Sequence, residues 1–264
     1  MRELKRYINI FWVFARNSFL VNLEYRVNFF AGIFVQIGFV LAKLSYVFLI
    51  YKMNVDINGM SPDYMLIFIG TFIFMTGIYM SFYCNLLGFS REVRSGNLDI
   101  LLTKPISSLF LVSFQKIDLA MPIPNLICGT ILIIMGWTRS GIEVTFFKVF
   151  CFILFMILGC ILTYGLFLLP RLLAFFVIST NGISQICESL WDFNNMPQGI
   201  YGKVIQNIGT FVFPIFLITN MPGIIIKEPS LEYVLWCITM PFVFLFISIK
   251  VWNIGIKNYT SASS

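Results

Sequence analysis

The sequence predicts an all-α integral membrane protein with six transmembrane helices, and three observations carry that prediction. Hydrophobic residues make up 59% of the chain and charged residues 11%, against roughly 25% charged in soluble domains, and mean hydropathy is +0.89. The apolar residues fall in long runs, each comparable to the ~20 residues a helix needs to cross the hydrocarbon. The chain of 264 residues holds about six such spans with short connections and leaves no room for a soluble catalytic domain.

Residues 1–26 read as an amphipathic helix. At 3.6 residues per turn, Leu4, Ile8, Phe11, Trp12, Ala15 and Phe19 gather on one side, and Arg2, Lys5, Arg6, Asn9 and Arg16 on the other. An apolar face with an aromatic anchor and a basic face suits a helix lying in the membrane interface. The expected spans are 27–51, 64–89, 109–137, 146–169, 172–191 and 231–251. Lys43 falls toward the end of the first and is expected to snorkel. Pro122 and Pro124 are expected to kink or break the third, and Pro170-Arg171 to form a short turn between the fourth and fifth. The stretch 192–229 is rich in Pro, Asn and Gly and is expected to form a re-entrant or interfacial pair of short helices on the outer side.

Charge sets the expected orientation. Arg2, Lys5, Arg6, Arg16, Arg26, Arg91, Arg94, Lys104, Lys116, Arg171, Lys250 and Lys257 fall on the side of the termini, and Lys52, Arg139, Lys148, Lys203 and Lys227 on the other. Twelve cations against five place both termini in the cytoplasm by the positive-inside rule.

Composition and motifs also exclude functions. No histidine occurs, which removes the commonest metal ligand and general base. The six cysteines stand singly in apolar stretches, as small buried hydrophobes do. No phosphate-binding G-x-x-x-x-G-K-[ST] loop, nucleophile elbow or zinc motif is present. The chain is therefore expected to be no enzyme, to hold no cofactor or metal, and to bind no nucleic acid.

The one long polar interruption is Phe89 to Ser108, FSREVRSGNLDILLTKPISS, whose charges would each cost about 2.5–3.5 kcal/mol in hydrocarbon. It is expected to be a cytoplasmic loop containing a short helix with Glu92 in its first turn, a stop at Ser95-Gly96-Asn97 and a closure at Pro105. Its pattern, Glu92-x-x-x-Gly96-x-Leu98-Asp99-x-Leu101-Leu102-x-Lys104-Pro105, resembles the motif after the second span of ABC type-2 transporter permeases, in particular the compact subfamily similar to viologen-exporter permeases. The ending Tyr259-x-Ser261-Ala262-Ser263 and the stretch Asn195-Met196-Pro197-x-x-Ile200-Tyr201 resemble the same subfamily. Met196 departs from its usual basic or aromatic residue.

That resemblance implies a permease subunit of an exporter in the plasma membrane. It would be paired with a second permease, identical or related, and bound to two copies of a separate ABC ATPase that holds ATP and Mg. The loop 90–108 would be the coupling helix, with Glu92, Arg94 and Gly96 at the ATPase contact and Asp99 and Pro105 fixing its return. Residues 1–26, with Arg2, Lys5, Arg6, Trp12 and Arg16, would be the interface helix against the lipid bilayer. The alternatives are a secondary transporter or channel, which needs intramembrane charges for ion coupling, and a non-transporting membrane assembly subunit.

Overall fold

The computed structural model describes residues 2–53, 60–177, 181–227 and 230–259, and these are helical throughout apart from turns and short connections. In chain order the helices are α1 (Arg2–Glu24), α2 (Arg26–Met53), α3 (Pro62–Leu87), α4 (Phe89–Arg94), α5 (Asn97–Leu102), α6 (Ser108–Phe114), α7 (Pro122–Arg139), α8 (Phe146–Leu172), α9 (Asn181–Asp192), α10 (Lys203–Asn207), α11 (Phe216–Lys227) and α12 (Leu231–Asn258). Among the described residues, four helices are long and apolar enough to cross a membrane. These segments are Arg26–Leu49, Pro62–Tyr83, Phe146–Phe175 and Leu231–Asn258. A fifth span arises if Lys203–Val212 and Phe216–Lys227, bent by 97° at the break between them, count as one.

The tightest packing joins α3 to α7, and glycine makes it possible. A Cβ on Gly129 would lie 2.6 Å from the Phe74 nitrogen, one on Gly136 2.7 Å from that of Ile67, and one on Gly70 2.8 Å from that of Ile133. Backbones this close gain dispersion contacts that replace the hydrophobic drive missing in lipid. The crossings of α8 use the same device. Gly159 sits against Ile218 of α11, and Gly165 against Leu245 of α12, where Ser248 Oγ donates to the Gly165 carbonyl at 2.8 Å. The core between these helices is apolar, with Ile67, Ile73, Leu162, Phe167 and Ile218 almost fully buried.

Local chemistry explains the ends. Ser61, expected in a turn, caps α3 by accepting from the Tyr64 N–H at 3.3 Å, with Pro62 in the first helical position, where its missing donor costs nothing. Ser230 caps α12 in the same way. The expected outer loop between the first two spans falls partly at 54–59, outside the described residues, as do the Ser261, Ala262 and Ser263 of the C-terminal motif.

Two of the six expected spans are not single helices. The third stretch, 109–137, is broken, as Pro122 and Pro124 led one to expect, into two helices: α6 ends at Phe114 and α7 starts at Pro122. Bare backbone groups in a broken span must be satisfied within the protein, and several here find partners on α1, on α3 and within the break. Ser81 Oγ donates to the Asp118 carbonyl at 3.0 Å, the Ile117 N–H donates to Ser18 Oγ at 3.1 Å, and the Ala120 N–H donates to Asp118 Oδ1 at 2.9 Å. The fifth stretch, 172–191, is not one helix either. α8 runs through Pro170 and Arg171 to Leu172, a 3₁₀ turn covers Leu173–Phe175, and α9 has 12 residues, too few to cross alone. At the end of that turn Phe175 seats its ring in the notch over Gly255, with the Phe89 and Trp252 rings edge-on to it.

The 192–229 segment contains the two short helices expected of it, α10 with its π-helical extension to Val212, and α11. α11 is part of the core, however, since Phe216, Leu217, Ile218 and Met221 are buried. Its polar residues are satisfied internally: Thr219 Oγ1 donates to Asn194 Oδ1 at 3.0 Å, and Asn220 Oδ1 accepts from the Gln198 N–H at 3.0 Å.

Gly129→Val forces side-chain atoms into the α3 backbone, and overpacking of this kind costs about 1–3 kcal/mol. The variant is expected to show a lowered melting temperature in detergent and a smaller monodisperse fraction on size exclusion. Gly38→Val, within α2 where an added Cβ meets nothing within 4 Å, should leave the α3–α7 packing intact and lose less.

Candidate functional site: the 89–108 loop and the intramembrane cleft

Two regions concentrate polar residues on an otherwise apolar protein. The first is the loop after α3. It forms two short helices rather than the single one expected. α4 runs to Arg94, Gly96 turns the chain at φ 74°, and α5 carries Asn97–Leu102. A left-handed residue at this point needs glycine, since a side chain there costs roughly 1–2 kcal/mol. Phe89, Val93 and Leu98 form the buried underside, against Leu168, Leu172, Ala174 and Trp252. The loop is thus a rigid platform seated on the ends of α8 and α12.

Two further elements hold it. Arg6 donates from Nη2 to the Pro105 carbonyl at 2.8 Å, and the Ser107 N–H donates to Tyr7 Oη at 3.2 Å. Tyr7 also stands edge-on to Phe110, with ring centroids 4.9 Å apart, and Phe11 contacts Phe82 and Phe114. At the other end Tyr259 donates toward the Val93 carbonyl at 3.5 Å and packs on Phe175. Burial, with the Asp99 carboxylate adding to it, pushes the Tyr259 phenol above the ordinary tyrosine range, so it remains a donor at physiological pH.

The expected site residues fall as follows. Glu92 is half-buried in a cleft of about 290 Å³ shared with Asn97, Lys104, Gln115 and Lys116. Arg94 is exposed, Gly96 is the left-handed hinge, Asp99 is half-buried beside Tyr259, and Pro105 is held by Arg6. In α1, Arg2, Lys5, Trp12 and Arg16 are exposed. The face of α1 toward the protein is Tyr7, Phe11, Phe14 and Ser18, which leaves Leu4, Ile8, Trp12 and Phe19 uncovered. The sequence reading treated Arg6 as a surface cation and had no signal for its bond across to Pro105, a residue 99 positions away.

The second region was missed. A cleft of about 460 Å³ opens between α2, α3 and α9, lined by Gln36, Lys43, Thr76, Tyr79, Glu188, Trp191, Asp192 and Asn195 with apolar neighbours such as Phe39 and Phe72. Lys43 does not simply snorkel. It is half-buried, its Nζ lies 4.3 Å from the Phe72 ring centroid, and the Asp192 carboxylate acts on it. Gln36, 3% exposed, donates to Asn125 Oδ1 at 3.0 Å and ties α2 to α7. In the wall of the cleft Tyr79 stacks on Trp191, with ring centroids 4.5 Å apart. Arg171, expected in a turn, is instead 2% exposed, donating to the Phe167 carbonyl at 2.6 Å and to Tyr79 Oη at 3.1 Å. The recoverable signal was the spacing of Glu188 and Asp192, one helical turn apart and so on one face of α9.

The compact helical core, the broken and bent elements and the amphipathic first helix describe a membrane domain, and a protein-family model decides which one. The model of ABC-2 family transporter proteins matches residues 37–263. This chain belongs to the ABC-2 transporter family. No curated protein and no solved structure matches it. The ABC-2 match spans the 89–108 loop, the cleft residues from Lys43 onward and Tyr259, and begins after α1 and Gln36. Membership makes the chain a multi-pass transport permease of a family whose membrane proteins generally work with ABC ATPase partners.

Gly96→Val places a β-branched side chain at φ 74° and is expected to loosen the loop by about 1.4 kcal/mol. If opening is fast relative to cleavage, this raises tryptic cutting at Arg91 and Arg94 roughly tenfold. Mass spectrometry of timed digests measures the rate, and an unchanged rate would show that the turn is not held by glycine.

Proposed function

We propose that this chain is the membrane-spanning permease subunit of an ATP-driven exporter, driven by separate ATPase subunits that dock on the 89–108 loop. The observation that carries the reading is the build of that loop. α4 presents Arg91 and Arg94 outward and Lys104 follows α5 on the same exposed surface, while Phe89, Val93 and Leu98 root the loop on α8 and α12, so a push on the loop reaches the helices beneath it. Family membership and the lack of a nucleotide-binding motif in the sequence support placing ATP hydrolysis in another polypeptide.

On this reading two permease copies, identical or related, sit with two ATPases in the plasma membrane, and the chain itself is no enzyme and carries no cofactor. The termini and the loop face the cytoplasm, as the excess of cations on that side favours. α1 is the interface helix, its uncovered Leu4, Ile8, Trp12 and Phe19 meeting lipid. Glu92, Arg94 and Gly96 act at the ATPase contact, and Asp99 and Pro105 hold the loop's return. The α2–α3–α9 cleft is the stretch of substrate path that each copy contributes, suited by its apolar walls and few charges to an amphiphilic cargo.

A transporter without an ATPase has one observation in its favour, the gathering of Lys43, Glu188 and Asp192 at that cleft, because ion coupling needs such charges. Gentle purification from native membranes separates the two. The exporter reading expects an ATPase subunit to co-purify, and expects Glu92→Ala and Arg94→Glu each to cut transport-coupled hydrolysis several-fold while the permease still folds. Recovery of the permease without any ATPase favours the second reading, and unchanged coupling in both variants removes the loop from the mechanism.

A further inference from the structure

The charges on the loop are sorted by exposure. Arg91 and Arg94 on α4, Lys104 after α5 and Lys116 after α6 are all exposed, whereas the two acids of the loop, Glu92 and Asp99, are half-buried. Asp99 faces the Tyr259 phenol, and Glu92 lies in the 290 Å³ cleft with Lys104 and Lys116. Within this basic surface Ile100 is 62% exposed at the lip of the same cleft, although its neighbour Leu98 is fully buried.

We propose that the surface of the partner ATPase that receives this loop is an apolar hole with an acidic rim. Ile100 enters the hole, a partner carboxylate enters the cleft between Lys104 and Lys116, and further acids face Arg91 and Arg94. The inference rests on the reading of the loop as the ATPase contact and adds the chemistry of the other side. Charge complementarity selects this occupant, since exposed cations attract acidic surfaces and disfavour basic ones. The cleft also favours a protein over anionic lipid. Headgroups respond to local positive charge, whereas Glu92, Asn97 and Gln115 set an acid and two amides beside the two lysines, a donor and acceptor pattern that orients one incoming side chain. An exposed aliphatic knob beside exposed charges has the make-up of an interface centre with a polar rim.

The test uses the permease as isolated from native membranes with its co-purifying subunits. The double variant Arg91→Glu/Lys104→Glu is expected to retain at least tenfold less ATPase than wild type at low salt. The conservative pair Arg91→Lys/Lys104→Arg should retain it, and wild-type retention should fall as salt rises, as screening requires. Benzoylphenylalanine in place of Ile100, photo-activated in the membrane, is expected to cross-link to an ATPase peptide containing Asp or Glu. Equal retention by the charge-reversed variant, or adducts on lipid alone, overturns the inference and leaves the exporter reading standing. A wild-type permease that retains no ATPase overturns both.

Discussion

The structure depends first on the close approach of α3 and α7. Gly70, Gly129 and Gly136 leave room for neighbouring backbone where any other residue would put a Cβ within 3 Å. In a membrane the helices gain little from hiding apolar surface, so contact distance decides which pairs hold. This pair does more than stabilise the bundle. α3 leads through Gly88 directly into α4, and α7 is preceded by the break whose backbone is held by Ser81 of α3. The seam therefore fixes where the polar loop begins and where the break after α6 lies.

The loop's rigidity comes from an aromatic block. Phe89, Phe175, Trp252 and Tyr259 pack in edge-on and tilted pairs with centroids 5.3–6.1 Å apart, a favoured geometry for ring quadrupoles. They come from the loop, the end of α8, α12 and the chain just past it. α1 holds the far side of the loop through Arg6 and Tyr7. A helix whose sequence suits lipid on one face is thus also a brace on another, and α1, α8 and α12 all contact the loop.

Much of this was legible in residues. The apolar runs marked α2, α3, α8 and α12, Pro122 and Pro124 marked the break that precedes α7, and Ser95-Gly96-Asn97 marked the turn that Gly96 makes. The boundary between α8 and α9 was not legible. Proline and arginine in sequence read as a polar turn, but Arg171 is accommodated inside the protein by the Phe167 carbonyl and Tyr79. Lys43 was read from its position along one helix, while its environment is set by Phe72 on another helix and Asp192 on a third.

The sequence by itself determined that the chain is a helical membrane protein with one polar loop and an amphipathic first helix, because composition and period act locally, on each segment against its solvent. Tertiary structure alone decided which face of α1 meets protein, that a second short helix follows Gly96, that α11 lies in the core, and that Lys43, Glu188 and Asp192 share one cleft. Those outcomes depend on partners many residues apart brought together by backbone proximity at glycines. A one-dimensional pattern records that a glycine is present but not which helix will approach it.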